Sequence, residues 1–236
     1  MTTYVLIPGA DGRAWYWHRV VPMLRERGHD AVAVDLPSGL DAGLAEHVTA
    51  VVNAIGDRDT GDDGPVLVAQ SLAAVIAPLV CERIRVQQLI LVNPMIPTPG
   101  ETAGEWWDNT GRDEAARAFA AEEGRDPDAG FDLIVDFFHD VPQDATDEAM
   151  SGEASGPSEA LFAEPWPLRA WPDVPTRILQ GRDDRFFPLG FQLRIAAERL
   201  PGVPVEDLPG GHLVALSRPV ELTELICDGT EAPRSR

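Results

Sequence analysis

The sequence contains no lysine: its nineteen basic residues are all arginine, and they stand against thirty-nine acidic residues. Without lysine, the chain cannot form a Schiff base with a substrate or build a phosphate-binding loop that depends on that residue. The formal net charge of -20 favours repulsion from phosphate backbones and from anionic lipid surfaces. We therefore expect no nucleic-acid partner and no membrane partner.

Cysteine is scarce, and long apolar runs are missing. Cys81 and Cys227 lie far apart in segments of helical period, which favours two small buried side chains over a disulfide or a metal site. No stretch approaches the roughly 20 apolar residues that span a bilayer. The opening run from Thr2 to Ile7 is too short for the apolar part of a signal peptide. We expect a cytoplasmic protein, and no metal or organic cofactor, because no set of ligands has metal-site spacing.

Hydrophobic residues make up 44% of the 236 residues, enough for a sizeable core. Short β-branched runs alternate with segments of helical period, a pattern typical of a parallel sheet covered by helices. The predicted strands cover residues 4–7, 31–34, 66–69, 89–92, 177–180 and 203–208. Predicted helices lie over residues 17–24, 44–55, 72–84 and 189–200, and a last one reaches residue 226 with Ser217 as its N-cap.

Between residues 94 and 173 this alternation stops for about eighty residues, which is far longer than an ordinary connection. A folded insertion is predicted there: a helical lid over 94–173, with the core formed by 1–93 and 174–236. Within it, Phe131, Ile134, Val135 and Phe138 have the spacing of one amphipathic helix. Residues 231–236 are predicted to be a frayed tail.

A candidate nucleophile follows the third predicted strand, in Ala69-Gln70-Ser71-Leu72-Ala73. A serine on a sharp strand-to-helix turn needs small residues two positions before and after it, and the two alanines meet this need. On its own, the motif leaves open whether Ser71 is a nucleophile or the N-cap of the following helix.

Candidate partners follow two later strands. Asp183 and Asp184 lie in the turn after residues 177–180, and His212 lies just beyond residues 203–208. The carboxyl ends of parallel strands meet at one rim, where such sheets place their ligands. His139, at the end of the predicted lid helix, is a second candidate histidine. The order serine, aspartate, histidine is that of the α/β-hydrolases.

Over nearly its whole length the chain resembles the α/β-hydrolase superfamily, particularly small members related to plant-type esterases and hydroxynitrile lyases. The resemblance implies the α/β-hydrolase fold: a mostly parallel sheet of about six strands flanked by helices, with the lid inserted after the fourth predicted strand. It implies that Ser71 is the nucleophile and His212 the general base. Gly181, Asp184 and Pro188 match the family's acid turn, which favours Asp184, with Asp183 as the fallback.

The same resemblance extends to the turn after the first strand, Pro8-Gly9-Ala10. In the superfamily this turn supplies a backbone N–H to the oxyanion hole, so the resemblance implies N–H donors from Ala10 and Leu72. Trp106, Trp107 and Phe138 are the candidate substrate-binding residues, although the tryptophans could equally form the lid's own core.

The function implied is hydrolysis of a small carboxylic ester through a covalent acyl-enzyme, with a small molecule as substrate and the oligomeric state left open. Serine at position 71 argues against the relatives that use an aspartate nucleophile, and the absence of lysine argues against hydroxynitrile cleavage. Two alternatives stay open: a carbon–carbon bond hydrolase or lactonase with the same triad, and a small-molecule-binding protein with little turnover.

Overall fold

Six parallel strands form one open sheet in a computed structural model, which describes residues 1–39, 41–152, 156 and 158–228. The strands are β1 (Thr3–Ile7), β2 (Asp30–Ala33), β3 (Val66–Gln70), β4 (Gln88–Val92), β5 (Thr176–Gly181) and β6 (Val205–Leu208). Their spatial order is β2-β1-β3-β4-β5-β6, and every neighbouring pair is parallel. The predicted sheet is confirmed. The predicted tail at 231–236 lies outside the described residues.

Helices cover both faces of this sheet. Those of the sheet-forming parts are α1 (Val20–Glu26), α2 (Leu44–Ile55), α3 (Ala77–Val80), α9 (Leu189–Arg199), α10 (Val214–Ser217) and α11 (Pro219–Asp228). Between β4 and β5 lie α4 (Trp106–Thr110), α5 (Arg112–Glu122), α6 (Leu133–Asp136), α7 (Gln143–Ser151) and α8 (Glu159–Ala163). Short 3-10 helices span Ala14–Trp17 and Ser71–Val75. The division into a core and a separate lid unit stays a prediction.

The core lies on both sides of the sheet because successive side chains of a strand point to opposite faces. In β1, Val5 and Ile7 pack with α2, α3 and α9, whereas Tyr4 and Leu6 pack with α1, α10 and α11. All four side chains are fully buried. None of the helices in the described part of the chain is both long and apolar enough to cross a lipid bilayer.

Two helices differ from their prediction, one in its continuity and the other in the residue at which it begins. The helix expected over 72–84 is split into a 3-10 helix and α3, because Pro78 has no N–H and its ring would clash with the carbonyl four residues earlier. Ser217 is the last residue of α10 and not the N-cap of α11, which begins with Pro219. Proline suits the first helical position because the N–H there has no intrahelical acceptor.

The predicted amphipathic helix through Phe131 and Phe138 is also corrected. Helix α6 is only four residues long, and Phe131 and Ile134 are 58% and 46% exposed. The chain is no longer helical directly beyond α6, and the carboxylate of Asp140 accepts a hydrogen bond from the backbone N–H of Gly211. This tertiary contact outweighs the local period, so the apolar stripe does not face a core of its own.

Candidate active site

Ser71 stands at the sharp turn from β3 into the 3-10 helix, with a left-handed φ of 52°. A positive φ is uncommon for a residue with a side chain, and strain of this kind concentrates at functional sites. Ala69 and Ala73 are fully buried, as small neighbours at these positions must be. A Cβ atom added to Gly9 would collide with the Gln70 side chain and lie 3.2 Å from the Ser71 Cβ. The turn therefore depends on close backbone approach from the first strand's loop.

Ser71, His212 and Asp184 form one chain of hydrogen bonds. The His212 Nε2 lies 3.1 Å from the Ser71 Oγ, and its Nδ1 lies 2.8 Å from an Asp184 Oδ atom. The three residues are 7%, 2% and 0% exposed, respectively. Because the carboxylate can only accept, Nδ1 carries the proton in the neutral ring, and Nε2 is left to accept the serine hydroxyl.

The two adjacent aspartates of the turn after β5 point to different partners. Asp184 is fully buried, and its second carboxylate oxygen accepts the backbone N–H groups of Phe186 and Phe187, each at 2.8 Å. Asp183 is exposed, and its carboxylate accepts the N–H of Gly210 at 3.0 Å. The structure thus places Asp184 against the imidazole, while Asp183 stabilises the loop that carries it.

Asn93, which the sequence interpretation missed, joins the loops of the histidine and the aspartate. It is fully buried and has a positive φ of 46°. Its Nδ2 donates to the carbonyls of Gly211 and His212 at 3.1 and 2.9 Å, and its Oδ1 accepts the Gly181 N–H at 2.7 Å. A polar residue between the end of a buried strand and Pro94 was the available signal.

The rival histidine lies behind the loop of His212. A Cβ atom added to Gly211 would lie 2.6 Å from the His139 Cε1, so His139 packs on this glycine. Burial, followed by the charge of Arg185, lowers the pKa of His139. Asp140 holds the same glycine by its N–H at 2.9 Å. The structure therefore brings His212 to the serine and uses His139 as support.

Ala10 and Leu72, the predicted oxyanion-hole donors, both border one cavity together with Ser71. Leu72 is the second residue of the 3-10 helix, and the first N–H groups of a helix have no acceptor inside it. The Ala10 turn is closed by a hydrogen bond of 3.0 Å from the Gly12 N–H to the Gly9 carbonyl. Both positions are suited to donate into the cavity, and their role stays a prediction.

The cavity has a volume of about 350 Å³ and is bordered by Ser71 and His212. Its wall is mainly apolar and includes the rings of Trp15, Tyr16, Trp107, Phe137, Phe138 and Phe186. Two charged residues, Asp11 and Arg13, also line it, and their side chains form an ion pair at 3.2 Å. Burial raises the pKa of Asp11. The arrangement suits a predominantly apolar ligand that presents one polar group to the serine.

Of the three predicted substrate-binding residues, Trp107 and Phe138 border this cavity, whereas Trp106 does not. Trp106 is 1% exposed, donates its Nε1–H to the Ile96 carbonyl at 2.9 Å and packs 5.1 Å from the Phe187 ring. Adjacent residues on a helix point in different directions, so only one of the two tryptophans of α4 can face the cavity. Trp106 is corrected to a core residue.

Metal ligands were not expected from the sequence. In the part of the chain that the structure describes, no group of three or more His, Cys, Asp and Glu side chains is arranged to hold a metal ion.

A serine at a strand-to-helix turn, with an aspartate and a histidine after later parallel strands, defines the class of α/β-hydrolases. The model of the Alpha/beta hydrolase family matches residues 4–225 of this chain. The chain belongs to this family, and the predicted α/β-hydrolase fold is confirmed.

Individual relatives agree with this assignment. A pyrethroid hydrolase of Sphingobium wenxiniae is 28% identical over 262 aligned positions, which cover 99% of this chain and 89% of that protein. The structure of polyneuridine aldehyde esterase matches with a TM-score of 0.77 at 16% identity, covering 98% of this chain and all of the other. A pyrethroid hydrolase structure from Sphingobium faniae matches with a TM-score of 0.77 at 23% identity, covering 98% of both chains.

Proposed function

We propose that the protein hydrolyses carboxylic esters, with Ser71 as nucleophile, His212 as general base and Asp184 as the acid that orients the imidazole. The observation that carries the proposal is the continuous pair of hydrogen bonds, 3.1 and 2.8 Å long, that ends at a serine held in a left-handed turn. The relatives named as a pyrethroid hydrolase and a polyneuridine aldehyde esterase support ester chemistry.

In the proposed reaction, the His212 Nε2 takes the Ser71 proton as the Oγ attacks the ester carbonyl. The carbonyl oxygen becomes an oxyanion that accepts the N–H groups of Ala10 and Leu72, and each such donor typically lowers the barrier by about 3 kcal/mol. When the tetrahedral intermediate collapses, the alcohol leaves with the proton from Nε2, and the acyl group stays on the serine. Water then attacks the acyl carbonyl, with His212 as its base. The Ser71 oxygen leaves with the proton from Nε2, and the carboxylic acid is released.

Asp184 acts on the orientation and charge of the imidazole. It accepts Nδ1–H at 2.8 Å, and the N–H groups of Phe186 and Phe187 fix its other oxygen. A carboxylate held by several donors cannot turn away, so it keeps the proton on Nδ1 and stabilises the imidazolium that forms. Its complete burial strengthens that interaction, because little water screens it.

The cavity points to a neutral ester with sizeable apolar groups. Among the described residues that line it, the charged side chains are those of Asp11 and Arg13, which pair with each other. A substrate bearing a free carboxylate would also enter against the net charge of the chain, which is -20. Uncharged acyl and alcohol groups are therefore the best match.

The proposal is tested with a fluorophosphonate probe and short p-nitrophenyl esters. We expect the phosphonate to form its adduct on the Ser71 Oγ, and Ser71→Ala to lose turnover by up to roughly 10⁶-fold. Ser217→Ala is the matched control, because this buried serine has a hydroxyl without a hydrogen-bond partner and does not line the cavity. An unlabelled Ser71, together with equal rates for the wild type and Ser71→Ala, would favour the alternative of a binding protein.

A further inference from the structure

Three phenylalanine rings enclose the imidazole of His212. Phe137 stacks on it, with the ring centroids 4.8 Å apart and the planes inclined by 16°. Phe186 and Phe187 meet it at steep angles, 68° and 89°, with centroids 5.0 and 5.1 Å away. Only Phe137 therefore lays its aromatic face along the plane of the imidazole.

The three rings come from different parts of the chain. Phe186 and Phe187 belong to the loop of Asp184, whereas Phe137 follows α6 in the segment between β4 and β5. The rest of the site described above is supplied mainly by strand ends, so Phe137 is a contribution of the inserted segment to the immediate surroundings of the histidine.

Contacts on both sides fix the backbone around Phe137. Two residues before it, the Val135 carbonyl accepts the Arg185 guanidinium at 3.0 Å. Three residues after it, Asp140 accepts the Gly211 N–H at 2.9 Å. Each contact joins the segment to a loop of the site, one next to Asp184 and the other next to His212. The position of the Phe137 ring is thus coupled directly to the loops that carry the acid and the base.

The stacked geometry has an electrostatic consequence. The face of a benzene ring carries negative potential and attracts a cation whose centre lies within about 6 Å of the ring centroid. The imidazole becomes positive when it takes the serine proton. A stack with Phe137 therefore favours the charged form of the ring over the neutral form, and the difference grows where water is excluded, as it is at this buried histidine.

We propose that Phe137 is a positioning residue of the site, which stabilises the positive charge that His212 gains during proton transfer. The inference rests on the proposed function, since it concerns the proton that the histidine takes from Ser71. It assigns the inserted segment a direct electrostatic part in the reaction, in addition to bordering the cavity.

Other charged and titratable groups surround the imidazole, and all stay unchanged in the comparison that tests the proposal. Asp184 faces Nδ1, and the Ser71 hydroxyl faces Nε2. Across the cavity lie Asp11, Arg13 and Tyr16. Behind the loop lie His139 and Asp140, in contact with the preceding glycine, and Arg185 follows the acid directly in the chain.

The test replaces the ring by an aliphatic side chain of similar burial. Phe137→Leu loses the aromatic face, so we expect kcat on p-nitrophenyl butyrate to fall roughly three- to tenfold. The acid limb of the kcat/KM profile should also move to lower pH by about half a unit to one unit. A less stabilised imidazolium loses its proton more readily, so the base becomes available in more acidic solution.

Two variants serve as controls. Phe131→Leu removes another ring of the same segment, which is 58% exposed and packs on Phe137 at 5.4 Å but makes no ring contact with His212. We expect this variant to keep the wild-type profile. Phe137→Tyr keeps the aromatic face, so this variant should keep both the kcat and the acid limb of the wild type. Thermal unfolding of all three variants checks that the fold is retained.

A purely structural role gives a different result, because an imidazole that keeps its Asp184 contact but is misplaced relative to Ser71 lowers kcat without moving the acid limb to lower pH. An unmoved limb in Phe137→Leu, or an equal shift in Phe131→Leu, would overturn the proposal. A readout without turnover separates it from the proposed function: the titration midpoint of the His212 ring, followed by NMR in the Ser71→Ala background, should fall when Phe137→Leu is added. That comparison decides the inference even if the protein cleaves no ester.

Discussion

Asn93 provides a direct test of how the site is assembled, because one buried amide holds the loops of both His212 and Asp184. Removing it in Asn93→Ala breaks three hydrogen bonds, to the Gly211 and His212 carbonyls and from the Gly181 N–H. Each such bond contributes about 1 kcal/mol net to stability. The loss is therefore about 3 kcal/mol from hydrogen bonding alone.

The backbone of Asn93 adds a second contribution. Its φ of 46° lies in the left-handed region, which asparagine tolerates but which costs alanine about 1 kcal/mol. We expect Asn93→Ala to lower the free energy of unfolding by about 4 kcal/mol. Asn93→Gly loses the same hydrogen bonds without the backbone strain, and we expect it to be milder than the alanine variant by about 1 kcal/mol.

Urea unfolding measures both values, and Asn109→Ala is the matched control. Asn109 is exposed and makes one side-chain hydrogen bond, at 2.9 Å to Glu101, so its loss should cost less than about 1 kcal/mol. The same two Asn93 variants should lose esterase activity, since the carbonyl of the general base is no longer held. A cost below about 1 kcal/mol for Asn93→Ala, or a glycine variant no more stable than the alanine one, would refute the reasoning.

Two further predictions concern the acid and a thiol. Asp184→Asn should lower kcat by roughly 10⁴-fold because an amide cannot hold the correct tautomer of His212, while Asp183→Asn should change kcat little. Steady-state kinetics on one ester compares the two variants, and the reverse ranking would transfer the role to Asp183. Burial raises the pKa of the Cys81 thiol to about 11, so at pH 8 only about one molecule in a thousand carries the reactive thiolate. Iodoacetamide should alkylate Cys81 slowly in the native protein at pH 8, faster as the pH approaches 11, and rapidly after unfolding; fast labelling of the native protein at pH 8 would contradict the burial argument.

The strands could be predicted from the sequence because a buried parallel strand has a local signature, a short apolar run between turn residues. Ser71 could also be predicted locally, because the small alanines two residues before and after it indicate a crowded turn. The helices were less predictable where a proline or a distant contact intervened, as at Pro78 and at α6. Local period indicates which face of a segment is apolar, but not whether anything packs against it.

Side-chain partners depend on directions that local sequence does not encode. Asp183 and Asp184 are neighbours in one turn, and the tertiary structure decides that only Asp184 reaches the imidazole. Trp106 and Trp107 likewise differ only in the direction that α4 gives them. The role of Asn93 was decided by its partners, which lie in loops more than eighty residues further along the chain.

The sequence by itself determined the alternation of strands and helices, the exclusion of lysine chemistry, and the order of serine, aspartate and histidine along the chain. Only the tertiary structure decided that His212 and not His139 meets the serine, and that Phe137 stacks on the chosen imidazole. The physical reason is range: periodicity and turn chemistry act within a few residues, whereas the hydrogen bond between residues 71 and 212 spans 141 positions. Such a contact exists only once the sheet has brought its strand ends together.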